Sequence, residues 1–210
     1  IVGVGTALDA VSRGLSTGLI EQRDLGSGTS SRSSKLVHGG LRYLEFGELG
    51  LVHESLQERT RLLHNAAHLV RPLQLFIPVY AHSRRGINTV DFGLWVYDLL
   101  SVGGVLPGHR RLSREAAIAE LPALNREGLD GGILYHDAQV TFVERLVVEN
   151  ALAASAAGAM IRTYTTAERI VLEGNQVQGV VVRDSRTGQR ETLTARAVVN
   201  AAGPWVDRVL

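Results

Sequence analysis

The sequence predicts an α/β fold of the dinucleotide-binding kind, and three stretches carry that expectation. Near the start, Gly3 and Gly5 lead into a helix of small residues, Thr6 to Arg13, which ends at Gly14; a short apolar strand, Ser16 to Ile20, then ends in Glu21. Residues 28 to 45 gather hydroxyls, a glycine pair and basic groups into one run. Near the other end, Ala195 to Asn200 reads as a buried strand entering Ala201-Ala202-Gly203-Pro204-Trp205. In a dinucleotide-binding unit a glycine-rich turn opens a helix whose amino end meets the phosphates, and an acidic residue ~20 positions on holds a ribose hydroxyl. Glu21 follows Gly3 at about that interval. The glycines alone would mark no more than a loose terminus; the spacing and the neighbouring Ser-rich run decide against that.

Asp24 to Gly28 is a turn, and the Ser-rich run follows it. Thr29, Ser30, Ser31, Ser33 and Ser34 offer hydroxyls to a phosphate or a polar ring and favour non-helical starts with free backbone N–H groups. Gly39 and Gly40 let main chain approach a flat ligand where any Cβ would collide. Lys35, His38 and Arg42 bring positive charge to the same surface. The plain alternative is a flexible loop, and the apolar continuation Leu41, Tyr43, Leu44 argues for order instead.

Glu48 to Val70 shows apolar residues at near-helical spacing and reads as an amphipathic surface helix without chemistry, its histidines exposed or packing. Arg71-Pro72 is expected to end it. Leu73 to Tyr80 reads as a strand with Pro78 near an edge. Ile87 to Val102 is a second helix, with Trp95 and Tyr97 in packing roles, and Leu106-Pro107-Gly108 a turn. Ser113 caps a short helix, Arg114 to Leu121, with Glu115 in its first turn. Within Leu129 to Val140, Ile133 to Asp137 alternates as a strand. Thr141 reads as an N-cap with Glu144 as its capping-box partner, for a helix running to Gly158. Met160 to Thr163 returns to the central sheet. Ile170 to Leu193 reads as three strands with turns at Glu173-Gly174-Asn175 and Arg186-Thr187-Gly188.

Composition narrows the function. The net charge of +1 gives no reason to expect a nucleic-acid partner, and the absence of cysteine removes disulfides, thiol catalysis and Cys-based metal sites. No metal site is expected. No apolar run reaches the ~18 residues that span a bilayer; the nearest, Phe92 to Leu106, is interrupted by Asp98, Ser101 and glycines.

The string TSSRSSKLVHGGLRYLE resembles the signature of FAD-dependent glycerol-3-phosphate dehydrogenases, within the wider group of flavoenzymes related to D-amino-acid oxidase. The likeness resumes at Leu106-Pro107-Gly108, at Tyr135-His136-Asp137 and at Val199-Asn200-Ala201-Ala202-Gly203-Pro204-Trp205-Val206. It implies a two-dinucleotide Rossmann-like fold of the glutathione-reductase and D-amino-acid-oxidase type, with an inserted β-meander and part of a substrate-side sheet. Ile1-Val2-Gly3 would be the last places of the glycine motif, so the first strand is expected to be missing and the chain to be cut at both ends. Residues 1–45 and 141–210 are expected to form the FAD-binding part and residues 71–140 the substrate-side lobe.

The resemblance implies FAD as cofactor, held by Gly3, Gly5, Glu21, Thr29, Ser30, Ser33, Ser34, Lys35, His38, Gly39, Gly40, Leu41, Ala201 and Gly203. It implies oxidation of sn-glycerol 3-phosphate to dihydroxyacetone phosphate, with Arg42 on the substrate phosphate and Tyr43 donating from its phenol. Tyr135 and His136 are candidates to face the flavin cavity. The acidic pair that relatives often carry after this strand is replaced by Thr141-Phe142. No catalytic base is assigned; in the family it is expected beyond Leu210. Electrons would pass to a quinone from a cytoplasmic protein peripheral to the inner membrane face, and a homodimer is among the expected assemblies. An oxygen-using oxidase of the same substrate, an amine or amino-acid oxidase of this fold, and an inactive or merely nucleotide-binding fragment stay open.

Overall fold

A computed structural model describes residues 1–209. In chain order the first elements are α1 (Val2–Ser12), β1 (Gly18–Ile20), a 3₁₀ turn (Thr29–Arg32), β2 (Leu36–Val37), a second 3₁₀ turn (Leu41–Phe46), α2 (Leu49–Asn65), β3 (Val70–Tyr80) and α3 (Ile87–Leu100). There follow β4 (Arg110–Ser113), α4 (Arg114–Glu120), β5 (Leu129–Val140), α5 (Val143–Ala156), β6 (Met160–Arg162), β7 (Thr165–Glu173), β8 (Gln176–Asp184), β9 (Arg190–Thr194) and a last 3₁₀ turn (Gly203–Arg208). The chain divides into two compact units, residues 1–34 with 142–210 and residues 35–141.

In the first unit β1 and β6 pair in parallel, Gly18 opposite Met160 and Ile20 opposite Arg162. Val4 of α1 packs with Val147 and Ala151 of α5, and Leu19 and Leu25 close the cluster. Val4 and Val147, removed from water, contribute ~1.5–3 kcal/mol each and the smaller or partly buried side chains less, which is what holds α1 in place. The meander β7-β8-β9 is antiparallel throughout. Its first turn needs positive φ, and Gly174 supplies it (φ 60°).

The second unit is built around β5. β3 pairs along the length of β5 on one side. β2 and β4 pair on the other side, β2 at residues 138–139 and β4 at residues 131–134. Successive strand residues face opposite ways. Ile133 therefore packs with Val52 and Leu56 of α2 and with Leu94 and Tyr97 of α3, while Leu134 packs with Leu112 and Ala117 on the α4 side. The same alternation puts Tyr135 and Asp137 on the α2–α3 face. On α2 the buried residues are Val52, Leu56, Arg59 and Leu63, a single stripe at helical spacing that includes a charge.

Several expectations are corrected. The first helix begins at Val2, because the Ile1 carbonyl accepts the Gly5 N–H (3.1 Å), so Gly3 and Gly5 lie inside it rather than ahead of it. Helix α2 stops at Asn65, and the Leu69 and Val70 amides both turn back onto the Ala66 carbonyl before β3 begins. Pro72 lies within β3 instead of ending a helix; β3 is an edge strand, where a missing N–H is tolerated. Trp95 is exposed on α3 in line with Phe92 and Leu99, not packed. Thr141 caps nothing, because Phe142 occupies the N-cap of α5 and no side chain closes the first turn. Ala195 to Asn200 is not a strand and Val199 is exposed; the Ala195 N–H donates to the Gln178 carbonyl of β8 (3.0 Å), and beyond it the segment joins no sheet among the described residues. Strands β2 and β4 were not expected; they owe their strand form to β5. No helix among the described residues is long and apolar enough to cross a membrane.

Candidate functional site

In the first unit the sequence-expected residues converge at the carboxyl end of β1. Glu21 follows Ile20 directly, its amide donates to the Arg162 carbonyl (2.9 Å), and its carboxylate accepts the Arg23 N–H (3.0 Å). The Ile1 nitrogen, at the amino end of α1, donates to Ser30 Oγ (2.9 Å). The amides at the start of α1 have no side-chain cap and point out of the helix. A Cβ at Gly3 would stand 3.4 Å from Leu19 Cδ1 and 3.5 Å from Ala201 Cβ, so Gly3 brings α1 against both β1 and the 201 segment. The ring of Trp205 covers Gly28 in the same way, at 3.2 Å from where a Cβ would be. Gly203 takes φ 58° at the start of its turn. Gly5 faces open space, and Thr29, Ser33 and Ser34 are exposed.

In the second unit the signature run from Lys35 onward is tied down one residue at a time. Val140 N–H donates to the Lys35 carbonyl (2.9 Å), and Leu36 and Val37 pair with β5. Gly39 is buried, and its N–H meets both the Tyr97 hydroxyl (2.8 Å) and Asp137 Oδ1 (3.1 Å). A Cβ at Gly39 would overlap Leu56 and the Tyr97 hydroxyl. Gly40 adopts the left-handed region (φ 73°), with the Tyr43 ring packed on its open side. Gly40 N–H donates to His38 Nδ1 (3.0 Å), which leaves the proton of the neutral imidazole on Nε2. The Gly40 carbonyl then accepts the Tyr43 N–H (2.8 Å), starting the turn that carries Leu41, Arg42 and Tyr43. Arg42 is exposed and makes no ion pair among the described residues, since Glu45 pairs with Arg85 instead.

Behind this run lies a buried network that sequence reasoning missed. Arg59 Nη1 donates to Asp137 Oδ1 (2.6 Å) with both side chains 2% exposed, and to the His136 carbonyl (3.2 Å). Arg59 Nη2 donates to Ser101 Oγ (3.0 Å). The Tyr97 hydroxyl donates to Asp137 (2.9 Å), and burial, reinforced by the Asp137 charge, pushes its pKa well up. Tyr135 packs edge-on against Tyr97, and burial pushes its phenol up to about 12. Arg59 Nε and His136 Nδ1 are buried without a hydrogen-bond partner, and both residues line a cavity of about 60 Å³. One signal for the network was readable: an arginine on the apolar stripe of α2 and an aspartate on the apolar face of β5. Tyr97 packs as expected, in the core cluster with Leu56 and Leu94, and its hydroxyl and the Arg59 side chain of α2 add polar contacts that were not expected.

The profile of the FAD dependent oxidoreductase (DAO) family matches residues 1–210. The chain belongs to the FAD-dependent oxidoreductase family. Its fold agrees: a glycerol-3-phosphate dehydrogenase from Bacillus halodurans, solved with FAD, superposes on 97% of the chain with a TM-score of 0.72 and 32% identity. An L-proline dehydrogenase from P. horikoshii superposes on 98% of it with a TM-score of 0.75 and 19% identity, a likeness of fold alone. Along its whole length the chain is 47% identical to a glycerol-3-phosphate dehydrogenase of a Synechocystis species, and it spans 38% of that relative. The chain covers 32% of the length of the Bacillus structure. The resemblance seen in the signature run is therefore that of the family, and flavin is its cofactor.

Proposed function

We propose that this chain is the FAD-binding part of an enzyme that oxidises sn-glycerol 3-phosphate to dihydroxyacetone phosphate and delivers the electrons to a quinone. The observation that carries the reading is 47% identity, over the full chain, to a protein named for that dehydrogenation. The residues of the first unit fit FAD. Gly3 and Gly5, at the amino end of α1, face the pyrophosphate, whose charge suits free helix N–H groups; Glu21 holds a ribose hydroxyl; Ser30, Thr29, Ser33 and Ser34 line the phosphates. Ala201 and Gly203 leave main chain free to approach the same groups. In the second unit Lys35, His38, Gly39, Gly40 and Leu41 flank the flavin ring.

When bound, FAD supplies the two-electron acceptor for the substrate C–H bond. The chain's own task is to hold the substrate. Arg42 forms no ion pair among the described residues, though its charge acts on Glu45 from a distance, and it offers a planar fork to a phosphate. The Tyr43 phenol beside it is 40% exposed and free to donate. His38, with Nδ1 accepting from Gly40, presents an Nε2 donor rather than a base. Delivery to a quinone requires the protein to work at the inner face of the membrane.

The test is an anaerobic visible spectrum of the FAD-loaded whole enzyme to which this part belongs, before and after glycerol 3-phosphate, with glycine and proline as comparison substrates. Bleaching by glycerol 3-phosphate alone supports the reading; bleaching by an amino acid, or by none, ends it. A second reading, an oxidase of the same substrate, predicts that air alone reoxidises the flavin quickly with peroxide formed. The quinone reading requires slow reoxidation by air and fast reoxidation by a soluble quinone.

A further inference from the structure

Replacing a buried ion pair by well-packed apolar residues is often neutral or stabilising. The Arg59–Asp137 pair is thus poorly accounted for by stability, and its connections point elsewhere. Strand pairing of the signature run ends at Val37. Beyond that point the Gly39 amide is held by side chains alone, Tyr97 from α3 and Asp137 from β5. Asp137 Oδ1 receives three donors, from Arg59, Tyr97 and Gly39, and the Tyr97 hydroxyl also reaches Oδ2 (3.1 Å), so the carboxylate cannot turn without straining its bonds to Arg59 and Gly39. Arg59 is itself fixed by Ser101 and the His136 carbonyl. There is no slack at Gly39, where a Cβ would already overlap Leu56 and the Tyr97 hydroxyl. The next peptide passes any displacement on: Gly40 N–H holds the His38 ring, and Gly40 C=O starts the turn bearing Arg42 and Tyr43.

We propose that Arg59, Asp137 and Tyr97 are positioning residues, which hold the Gly39 amide and so set where His38, Arg42 and Tyr43 stand relative to the substrate. The inference rests on the reading of residues 38–43 as the substrate-facing run. None of the three touches the substrate. Their work is done through one backbone N–H.

Tyr97→Phe removes one of the two acceptors of that N–H and keeps the ring. In the FAD-loaded protein it should weaken dihydroxyacetone phosphate, read from the flavin difference spectrum, by about tenfold, the worth of one to one and a half hydrogen bonds. KM for glycerol 3-phosphate should rise by a similar factor. Amide hydrogen exchange, followed without ligand, should quicken in peptides covering residues 38–46 while peptides of α2 and α3 keep their protection. Unchanged ligand affinity, or quickened exchange spread evenly over residues 35–141, would overturn the proposal and leave the network a packing feature. If Tyr97→Phe fails to retain FAD, Ser101→Ala serves: it loosens only Arg59 Nη2, and a twofold to threefold loss of affinity with the same local exchange pattern is expected, unchanged affinity again overturning it. Wild-type protein that binds no dihydroxyacetone phosphate faults the substrate reading instead, and the exchange pattern still decides the positioning claim.

Discussion

Removing one member of the Arg59–Asp137 pair separates the two things a buried charge can do. In Arg59→Met the Asp137 carboxylate remains 2% exposed, with only Tyr97 and Gly39 as donors. An uncompensated buried charge of this kind costs about 3–5 kcal/mol. Hydrogen bonds to Ser101 and the His136 carbonyl are lost at the same time. For a chain of this size each kcal/mol lowers Tm by roughly 2–4 °C, so a fall of about 6–20 °C is expected. Replacing both members, Arg59→Met with Asp137→Leu, removes the stranded charge and should return most of that loss. Urea unfolding followed by circular dichroism measures all three variants. A single variant that loses less than about 1 kcal/mol, or a double variant no more stable than the singles, refutes the assignment of a desolvated pair. The double variant also carries the positioning argument further: it should recover stability without recovering affinity for dihydroxyacetone phosphate, because Gly39 N–H keeps only Tyr97.

Other outcomes follow from single contacts. Gly39→Ala should destabilise by about 1–3 kcal/mol, the ordinary cost of overpacking, in a thermal melt, since its Cβ has no room beside Leu56 and Tyr97. At alkaline pH, Tyr97 and Tyr135 keep their protons in the folded state above the unfolded value of 10.0, so stability is complete below that pH and falls as pH rises past it. A urea series should show Tyr97→Phe with a shallower alkaline decline than wild type. Glu21→Gln should weaken FAD, titrated by flavin fluorescence, by roughly tenfold or more, as expected for a charged hydrogen bond to a hydroxyl. Arg42→Lys keeps the charge but loses the fork; it should raise KM for glycerol 3-phosphate about tenfold with a smaller change in kcat.

Much of the α/β organisation was legible because its signals are local. The meander announces itself through Gly174 and Gly188 at its turns, and both turns are where expected. The parallel strands β1 and β6 are short but bounded by recognisable neighbours, and Ser113 accepts the Ala116 N–H as its cap role requires. The failures are those of non-local pairing. β2 is two residues long and β4 four, too short for any periodicity, and both take strand form from β5. Ala195 to Asn200 shows the reverse: an apolar run has strand propensity, yet after the single bond from Ala195 to Gln178 it forms no ladder. Trp95 and Tyr97 sit two residues apart on α3, which at ~100° per residue puts them far apart around the helix, and one is exposed while the other is buried.

The residues that hold the signature run were invisible for a more instructive reason. Charged residues were counted toward the solvent face of α2, and that rule holds for Glu54, Glu58 and Arg61 but not for Arg59, which continues the stripe of Val52, Leu56 and Leu63. Asp137 breaks the same rule on β5, on the face of Ile133 and Tyr135. Each violation alone is unfavourable, and the two are tolerable only because they meet at 2.6 Å. Local rules broken in compensating pairs tend to mark sites where structure serves something other than stability. Here the pair lies directly behind Gly39, within the glycine pair of the run that carries the family resemblance. A charge on a core stripe and an opposite charge on a core strand, read together, would have pointed to the site's support before any coordinates did.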